Sequence, residues 1–241
     1  MRLIDSHCHL NYEGLVDRQD EILANARARG VAERNADVWA TVGVHPHEAY
    51  AHPDLGAKAL TDAASHSRVI AIGECGLDYY YDKSDRAAQR DRFEAHIDAA
   101  RQTGLPLVVH TREAEDDTAE ILGCAVKEGG VTGVLHCFTG SAQLARTGLD
   151  LGFYVSLSGI VTFKNAADLQ DTAKWLPADQ MLVETDSPFL APVPHRGQKC
   201  EPAFVADTAG FVAGLRREHP DRLAETTTDN FFRLFKKAQG H

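Results

Sequence analysis

Short apolar runs alternate along the whole chain with longer segments that have the periodicity of amphipathic helices. Residues 105–109 (LPLVV) are typical, because a parallel strand buried on both faces needs no polar alternation. Runs of this kind predict strands at 3–8, 38–44, 69–74, 105–110, 131–137, 153–157 and 181–184. Helical patterns occur at 15–29, 54–65, 85–103, 114–128, 141–148, 165–175, 202–217 and 228–237. This alternation predicts an α/β protein built from βα units.

The length of 241 residues suits a (β/α)8 TIM-type barrel, which we predict as a single domain over 1–241. The barrel needs one strand more than the sequence supplies. Only residues 31–37 separate the first predicted helix and its terminal glycine from the next strand. We therefore predict that the second β/α unit is missing near Val31 and Ala32. Natural loss and omission from the given sequence both explain this, and omission is favoured because losing one strand would break barrel closure.

Composition and charge limit the classes of function. The chain has 44% hydrophobic and 25% charged residues, which is typical of a globular protein and excludes a collagen or a disordered chain. No apolar run is long enough to cross a membrane, and we expect a cytoplasmic protein with no obligate protein partner. A net charge of −10 argues against broad, non-specific binding of nucleic acid, because it repels phosphate at long range.

The five cysteines are odd in number and contain no CxxC motif, so no disulfide framework is predicted. Cys8, Cys75 and Cys137 each adjoin a candidate metal ligand, and thiolate ligation is therefore an alternative. Because neighbouring residues of a strand point to opposite faces, packing roles are favoured for these thiols. Of the twelve histidines, five in polar, helical or terminal segments are predicted to be surface residues without a role, His96 among them.

Residues with metal-ligand chemistry end several of the predicted strands, at the face where barrel enzymes build their active sites. A lone HxH motif is a weak signal, since two buried histidines are an equally good explanation. Further strand-ending ligands make metal binding the better interpretation. The candidate ligands are His7, His9, Glu74, His110, His136 and Asp186. Four imidazoles and two carboxylates exceed the ligand set of one tetrahedral ion and suit two divalent cations that share a carboxylate.

Stretches along nearly the whole chain resemble the TatD-type metal-dependent deoxyribonuclease family, within the amidohydrolase-like barrels. They are DSHCHL at 5–10, VGVHP at 42–46, IGECGLDY at 72–79, VHTR at 109–112, LHCFTG at 135–140, LVETDSPFLAP at 182–192 and HRG at 195–197. The departure from the family pattern is the missing second βα unit, which carries no metal ligand in that pattern.

The resemblance implies two divalent metal cations, with Mg²⁺, Mn²⁺ and Zn²⁺ all compatible with the ligands. It implies that one cation is held by His7, His9, Glu74 and Asp186, and the other by Glu74, His110 and His136. Glu74 would bridge the two, and Asp186 would either ligate or accept the proton of the attacking water. Asp186 and Glu74 are thus the expected catalytic residues.

Four chargeable side chains in rim loops are candidates for substrate binding, with surface solvation or structural pairing as the alternative for each. They are His45, Arg112, His195 and Arg196. Asp78 is expected to support the site rather than to act as a catalyst.

The resemblance implies hydrolysis of phosphodiester bonds in DNA, with exonucleolytic trimming of DNA ends. A small-molecule amidohydrolase or phosphoesterase on the same barrel is the alternative, favoured by the acidic charge and the lack of a basic stripe. A non-catalytic metal-binding protein is a third hypothesis, disfavoured because every expected ligand is present.

Overall fold

The computed structural model describes residues 3–29 and 38–240. The predicted break between Val31 and Ala32 lies outside the described residues. The chain separates into two compact units, one formed by Met1–Val38 with Val155–Arg233 and the other by Trp39–Tyr154 with Leu234–His241. Each unit is considered by itself, and the single-domain assignment stays a prediction.

The described residues form strands and helices in the alternating order that the sequence predicts. The strands are β1 (Ala40–Val42), β2 (Val69–Asp78), β3 (Leu107–Arg112), β4 (Gly133–Leu135), β5 (Tyr154–Leu157) and β6 (Met181–Val183). The helices are α1 (Gln19–Ala28), α2 (Ala57–Ala64), α3 (Arg86–Thr103), α4 (Glu115–Gly129), α5 (Ala142–Asp150), α6 (Ala167–Trp175), α7 (Val205–Arg216) and α8 (Pro220–Leu234). The α/β fold class is therefore confirmed.

The 39–154 unit contains a parallel sheet in which β1, β2, β3 and β4 pair in chain order. The register between β2 and β3 shifts between Gly73 and Cys75, so Glu74 is an extra residue in β2. A bulge of this kind re-aims a side chain beside a functional site. Gly76 follows, and a Cβ there would lie 2.0 Å from the backbone oxygen of His110, so only glycine allows the two strands to approach so closely.

Polar caps and left-handed turns define the helices around this sheet. Asp85 caps α3 by accepting from the backbone N–H groups of Ala87 and Ala88. Gly104 ends the helix at a φ of +69°, a left-handed conformation that favours glycine. His96 lies inside α3 and is 0% exposed, so the prediction that it is a surface residue is wrong. Its burial follows from the helical period, which places it on the same face as Phe93 and Ile97.

The other unit contains the parallel pair β5 and β6. The predicted strand at 3–8 is wrong: this segment forms an isolated bridge from Cys8 to Ser187 and scattered backbone bonds such as Ser6 N–H to Val183 O at 3.1 Å. The reason is a side chain, because the Asp5 carboxylate accepts from the backbone N–H of Thr185 at 2.9 Å and so replaces a rung of the ladder.

The last helix differs from its predicted position. α8 begins at Pro220 and ends at Leu234, whereas the prediction was 228–237. Proline at the first helical position has a suitable φ and lacks an N–H that the first turn could not use, so Pro220 was an available start signal. No helix in the described ranges is both long and apolar enough to span a bilayer.

Candidate metal centre

Three imidazoles of the 39–154 unit converge on one oxygen of the Glu74 carboxylate. His136 Nε2 lies 2.7 Å from Glu74 Oε1, His45 Nε2 lies 3.2 Å from it, and His110 Nδ1 lies 3.3 Å from it. The ligand atoms of His45, Glu74 and His110 all lie within 4.8 Å of one another. Glu74 comes from the bulge in β2, His110 from β3, and His136 directly follows β4. The carboxyl ends of consecutive parallel strands therefore bring these side chains together.

Hydrogen bonds on the far side of each ring distinguish His110 from His45. The Nε2–H of His110 donates to Asp78 Oδ2 at 3.1 Å, and its Nδ1 lies 3.3 Å from Glu74 Oε1. The Nδ1 of His45 accepts from the backbone N–H of His47 at 3.1 Å, so in the neutral ring Nε2 carries the proton. A cation beside Glu74 would have the Nδ1 of His110 as a candidate ligand, whereas His45 is arranged as a hydrogen-bond donor.

The Asp78 carboxylate connects this cluster to the loop that follows β2. Its Oδ2 accepts from His47 Nε2 at 2.9 Å as well as from His110. Its Oδ1 accepts from the backbone N–H groups of Tyr80 at 3.1 Å and Tyr81 at 2.9 Å. Asp78 is 1% exposed. Asp78 therefore supports a candidate ligand, His110, through a hydrogen bond to the ring nitrogen that faces away from Glu74, as we expected from the sequence.

The electrostatics of the cluster favour ionised carboxylates. Burial would raise the pKa of Glu74, but His136, His110 and His45 outweigh it and hold that pKa well below its usual range. Burial also opposes the charge on Asp78, yet the donors from His110, the Tyr81 backbone and His47 lower its pKa. Anionic carboxylates beside imidazole nitrogens form the mixed oxygen and nitrogen donor set that divalent transition metals bind, and the residues fit such an ion.

The other unit has a ligand set of its own. His7 Nε2 and His9 Nε2 lie 3.3 Å apart, and Asp186 Oδ1 lies 3.4 Å from His9 Nε2 and 4.0 Å from His7 Nε2. Asp186 adopts a left-handed φ of +60°, a conformation that aspartate tolerates in turns and that recurs at functional sites. The HxH spacing thus places two imidazoles beside one carboxylate, as a cation requires.

Asp5 positions this second set, although the sequence analysis gave it no role. Its carboxylate accepts from Thr185 Oγ1 at 2.5 Å and from the backbone N–H groups of Thr185 and His7. Burial raises the pKa of Asp5 to about 8, against the lowering effect of Thr185. Asp5 therefore ties the segment before His7 to the segment before Asp186. An acidic residue two positions before an HxH motif was the available signal.

The proposed substrate-binding residues have different surroundings. Arg112 ends β3, and its guanidinium carbon lies 4.0 Å from the ring centre of Tyr80. The ring of His195 stacks on Phe204 at 3.8 Å, and its Nε2 lies 3.1 Å from Asp207 Oδ2. Both contacts of His195 are the structural pairing that the sequence analysis gave as its alternative. The guanidinium of Arg196 lies 3.6 Å from the ring centre of Phe163 on an exposed segment.

Cysteine contributes no ligand to the candidate clusters found in the described part of the chain, and none of the five cysteines, all described, forms a disulfide. Cys75 is buried, and its thiol donates to the Val108 backbone oxygen at 3.5 Å. This placement agrees with a packing role for the thiol beside Glu74.

Parallel strands whose carboxyl ends carry clustered imidazoles and carboxylates define an α/β metal-dependent hydrolase. A family model described as TatD related DNase matches residues 31–236, and the chain belongs to this family. The chain is 44% identical to the protein named uncharacterized metal-dependent hydrolase YcfH of Escherichia coli K12, over 98% of this chain and 96% of that protein. It is 35% identical to a protein of Cronobacter sakazakii named 3'-5' ssDNA/RNA exonuclease TatD, over 91% of this chain and 92% of that protein.

A solved structure supports the same fold. The crystal structure of YJJV, a TatD homologue of Escherichia coli K12, matches with a TM-score of 0.88 and 28% identity over 98% of both chains.

The alignment with YcfH bears on the missing βα unit. It runs over 261 positions, whereas this chain has 241 residues, so at least 20 positions inside the alignment have no residue here. The family match begins at Val31, next to the predicted break. Both findings agree with a β/α unit missing near Val31 and Ala32.

Proposed function

We propose that this protein is a metal-dependent nuclease that hydrolyses phosphodiester bonds at the ends of DNA. The observation that carries the proposal is the Glu74 cluster on the strand-end face, in which the imidazoles of His136, His45 and His110 lie within 3.3 Å of one carboxylate oxygen. Membership of the TatD-related DNase family and the exonuclease name of the Cronobacter relative support a nucleic-acid substrate.

The ligands divide between two divalent cations in this proposal. His7, His9 and Asp186 would hold one and His110 and His136 the other, with Glu74 shared between them as the resemblance implies. When bound, such cations lower the pKa of a water molecule and neutralise charge on phosphate oxygens. Mg²⁺, Mn²⁺ and Zn²⁺ remain the candidates.

The protein's own side chains supply the other functions. Asp186 would accept the proton of the attacking water. His45 would donate its Nε2–H to a phosphate oxygen, because the His47 backbone N–H fixes the required tautomer. Arg112 ends β3 two residues after His110, and in the described ranges no carboxylate forms an ion pair with it, so it is available to bind a phosphate.

The test is digestion of 3'- and 5'-end-labelled single- and double-stranded DNA across a panel of metals, with a chelator control. We expect metal-dependent release of nucleotides from an end, and loss of turnover with a native circular dichroism spectrum in Asp186→Asn. Asp171→Asn is the matched control, because Asp171 is 72% exposed on α6 and pairs only with Lys174 among the described residues. Full activity of Asp186→Asn, or hydrolysis that resists the chelator, would contradict the proposal.

A small-molecule amidohydrolase or phosphoesterase is the second candidate, favoured by the net charge of −10. It predicts metal-dependent turnover of phosphate esters or amides by a protein that leaves every labelled DNA end intact. RNA oligonucleotides in the same panel separate a deoxyribonuclease from a nuclease that accepts both sugars.

A further inference from the structure

Two consecutive tyrosines are exposed beside the Glu74 cluster. Tyr80 and Tyr81 are each 52% exposed, and their ring centres lie 4.9 Å apart in an edge-to-face arrangement. The guanidinium carbon of Arg112 lies 4.0 Å from the centre of the Tyr80 ring and 4.7 Å from that of Tyr81. We call Tyr80, Tyr81 and Arg112 the tyrosine platform.

The platform stands on a rigidly held loop. The buried side-chain amide of Gln89 accepts from the Asp78 backbone N–H at 2.8 Å and donates to the backbone oxygens of Asp78 and Ser84. The Ser84 hydroxyl donates to the His47 backbone oxygen at 2.8 Å. Both ends of the loop are thus fixed by buried hydrogen bonds, and the two rings are presented at little further cost in conformational entropy.

One carboxylate connects the platform to the candidate metal ligands. Asp78 binds the backbone N–H groups of Tyr80 and Tyr81 through Oδ1 and the imidazoles of His47 and His110 through Oδ2. The His47 ring also contacts Tyr81, with ring centres 5.3 Å apart. The platform therefore adjoins the place where a phosphate would react.

The chemistry of the platform matches an unpaired nucleobase and its phosphate. Exposed aromatic rings stack on the flat faces of bases, and a guanidinium binds phosphate or stacks in the same way. Lys83, 5.6 Å from the centre of the Tyr81 ring, adds a second positive charge to an otherwise acidic protein. A base inside a duplex has both faces covered by its neighbours, so this surface selects single strands.

We propose that Tyr80 and Tyr81 stack a base next to the cleaved phosphate while Arg112 binds the adjoining phosphate, so that the enzyme requires an unpaired base at that position. This inference rests on the proposed nuclease function and names the side chains that would recognise an unpaired base in its substrate.

The test uses the full chain and short oligothymidylates, intact or with abasic residues near the labelled end. Binding is measured by fluorescence anisotropy in chelator, and cleavage in the presence of metal. We expect Tyr80→Ala combined with Tyr81→Ala to bind the intact strand about tenfold more weakly or worse, because stacking contributes about that factor for each base. The paired Phe substitutions should retain binding. Tyr50→Ala is the matched control, since Tyr50 is 63% exposed in the same unit and lies outside the platform.

The difference in affinity between intact and abasic strands measures base stacking, and a general structural effect of the substitutions would not change it selectively. Wild-type protein should lose affinity for the abasic strand, and the double Ala variant should not distinguish it from the intact strand. Equal binding of both strands by wild-type protein, or unchanged affinity in the double Ala variant, would overturn the platform. If oligonucleotide binding shows the expected dependence but no strand is cleaved with any metal, the platform stands and the nuclease proposal fails.

Discussion

The Asp78→Asn substitution is expected to weaken metal binding without unfolding the protein. Asp78 accepts two imidazole N–H groups, from His110 at 3.1 Å and from His47 at 2.9 Å. An amide can keep its oxygen on the Tyr80 and Tyr81 backbone N–H groups, but its NH2 group then faces two further donors. His110 relieves the conflict by moving its proton to Nδ1, and that proton lies where the metal ligand's lone pair should be.

The magnitude follows from the lost partner. Removing the group that orients a ligating histidine typically costs 10- to 100-fold in metal affinity, which is about 1.4–2.8 kcal/mol. A hydrogen bond to a charged group contributes a similar amount, about 1.5–3 kcal/mol. We therefore expect the dissociation constant of the cation bound through His110 to rise by one to two powers of ten in Asp78→Asn.

Isothermal titration of chelator-treated protein with Mn²⁺ or Zn²⁺ measures this constant. His47→Gln is the control, because it removes the other imidazole from Asp78 and leaves the contact with His110. Its affinity should fall by less than threefold, which is well under 1 kcal/mol. Unchanged metal affinity in a natively folded Asp78→Asn protein would refute the assignment of the His110 tautomer.

Three further predictions concern stability. His96 donates to the Arg92 backbone oxygen and accepts from the Val44 N–H, and burial lowers its pKa from 6.5 to about 4. As pH falls, His96 therefore takes up a proton in the unfolded state before it does so in the folded state, which favours unfolding. Between pH 7 and pH 4 the free energy of unfolding, measured with urea, should fall by about 3 kcal/mol more in wild-type protein than in His96→Gln. Parallel pH profiles of the two proteins would contradict this prediction. Gly76→Ala should cost about 3 kcal/mol or more, because its Cβ would meet the His110 backbone oxygen, whereas Gly123→Ala, with open space in a helix, should stabilise by about 1 kcal/mol. A metal at 100 times its dissociation constant should raise the free energy of unfolding by about 2.7 kcal/mol, and a melting temperature that a chelator leaves unchanged would contradict metal binding to the folded state.

The sequence predicted the elements well where a local pattern decides them. Apolar runs without polar alternation gave β2 to β6, and the helical pattern at 85–103 gave α3. The segment at 3–8 was wrongly predicted as a strand because the Asp5 side chain, rather than a backbone group, accepts from the Thr185 backbone N–H. Apolar periodicity does not indicate when a side chain takes the place of a backbone acceptor. His96 was misread although its spacing from Phe93 and Ile97 carried the signal of burial.

The candidate ligand residues were recognisable in the sequence because a polar residue that ends an apolar parallel strand must lie at the strand-end face. Residue types and strand order follow from local sequence patterns, and they place imidazoles and carboxylates at that face. Which nitrogen of His110 faces Asp78 was decided only by the tertiary structure, because Asp78 lies 32 residues away in sequence. Hydrogen-bond partners so far apart meet only after the sheet has formed, so no local pattern encodes the orientation that would make His110 a ligand. The His45 tautomer differs, since its deciding partner is the backbone of His47, two residues away.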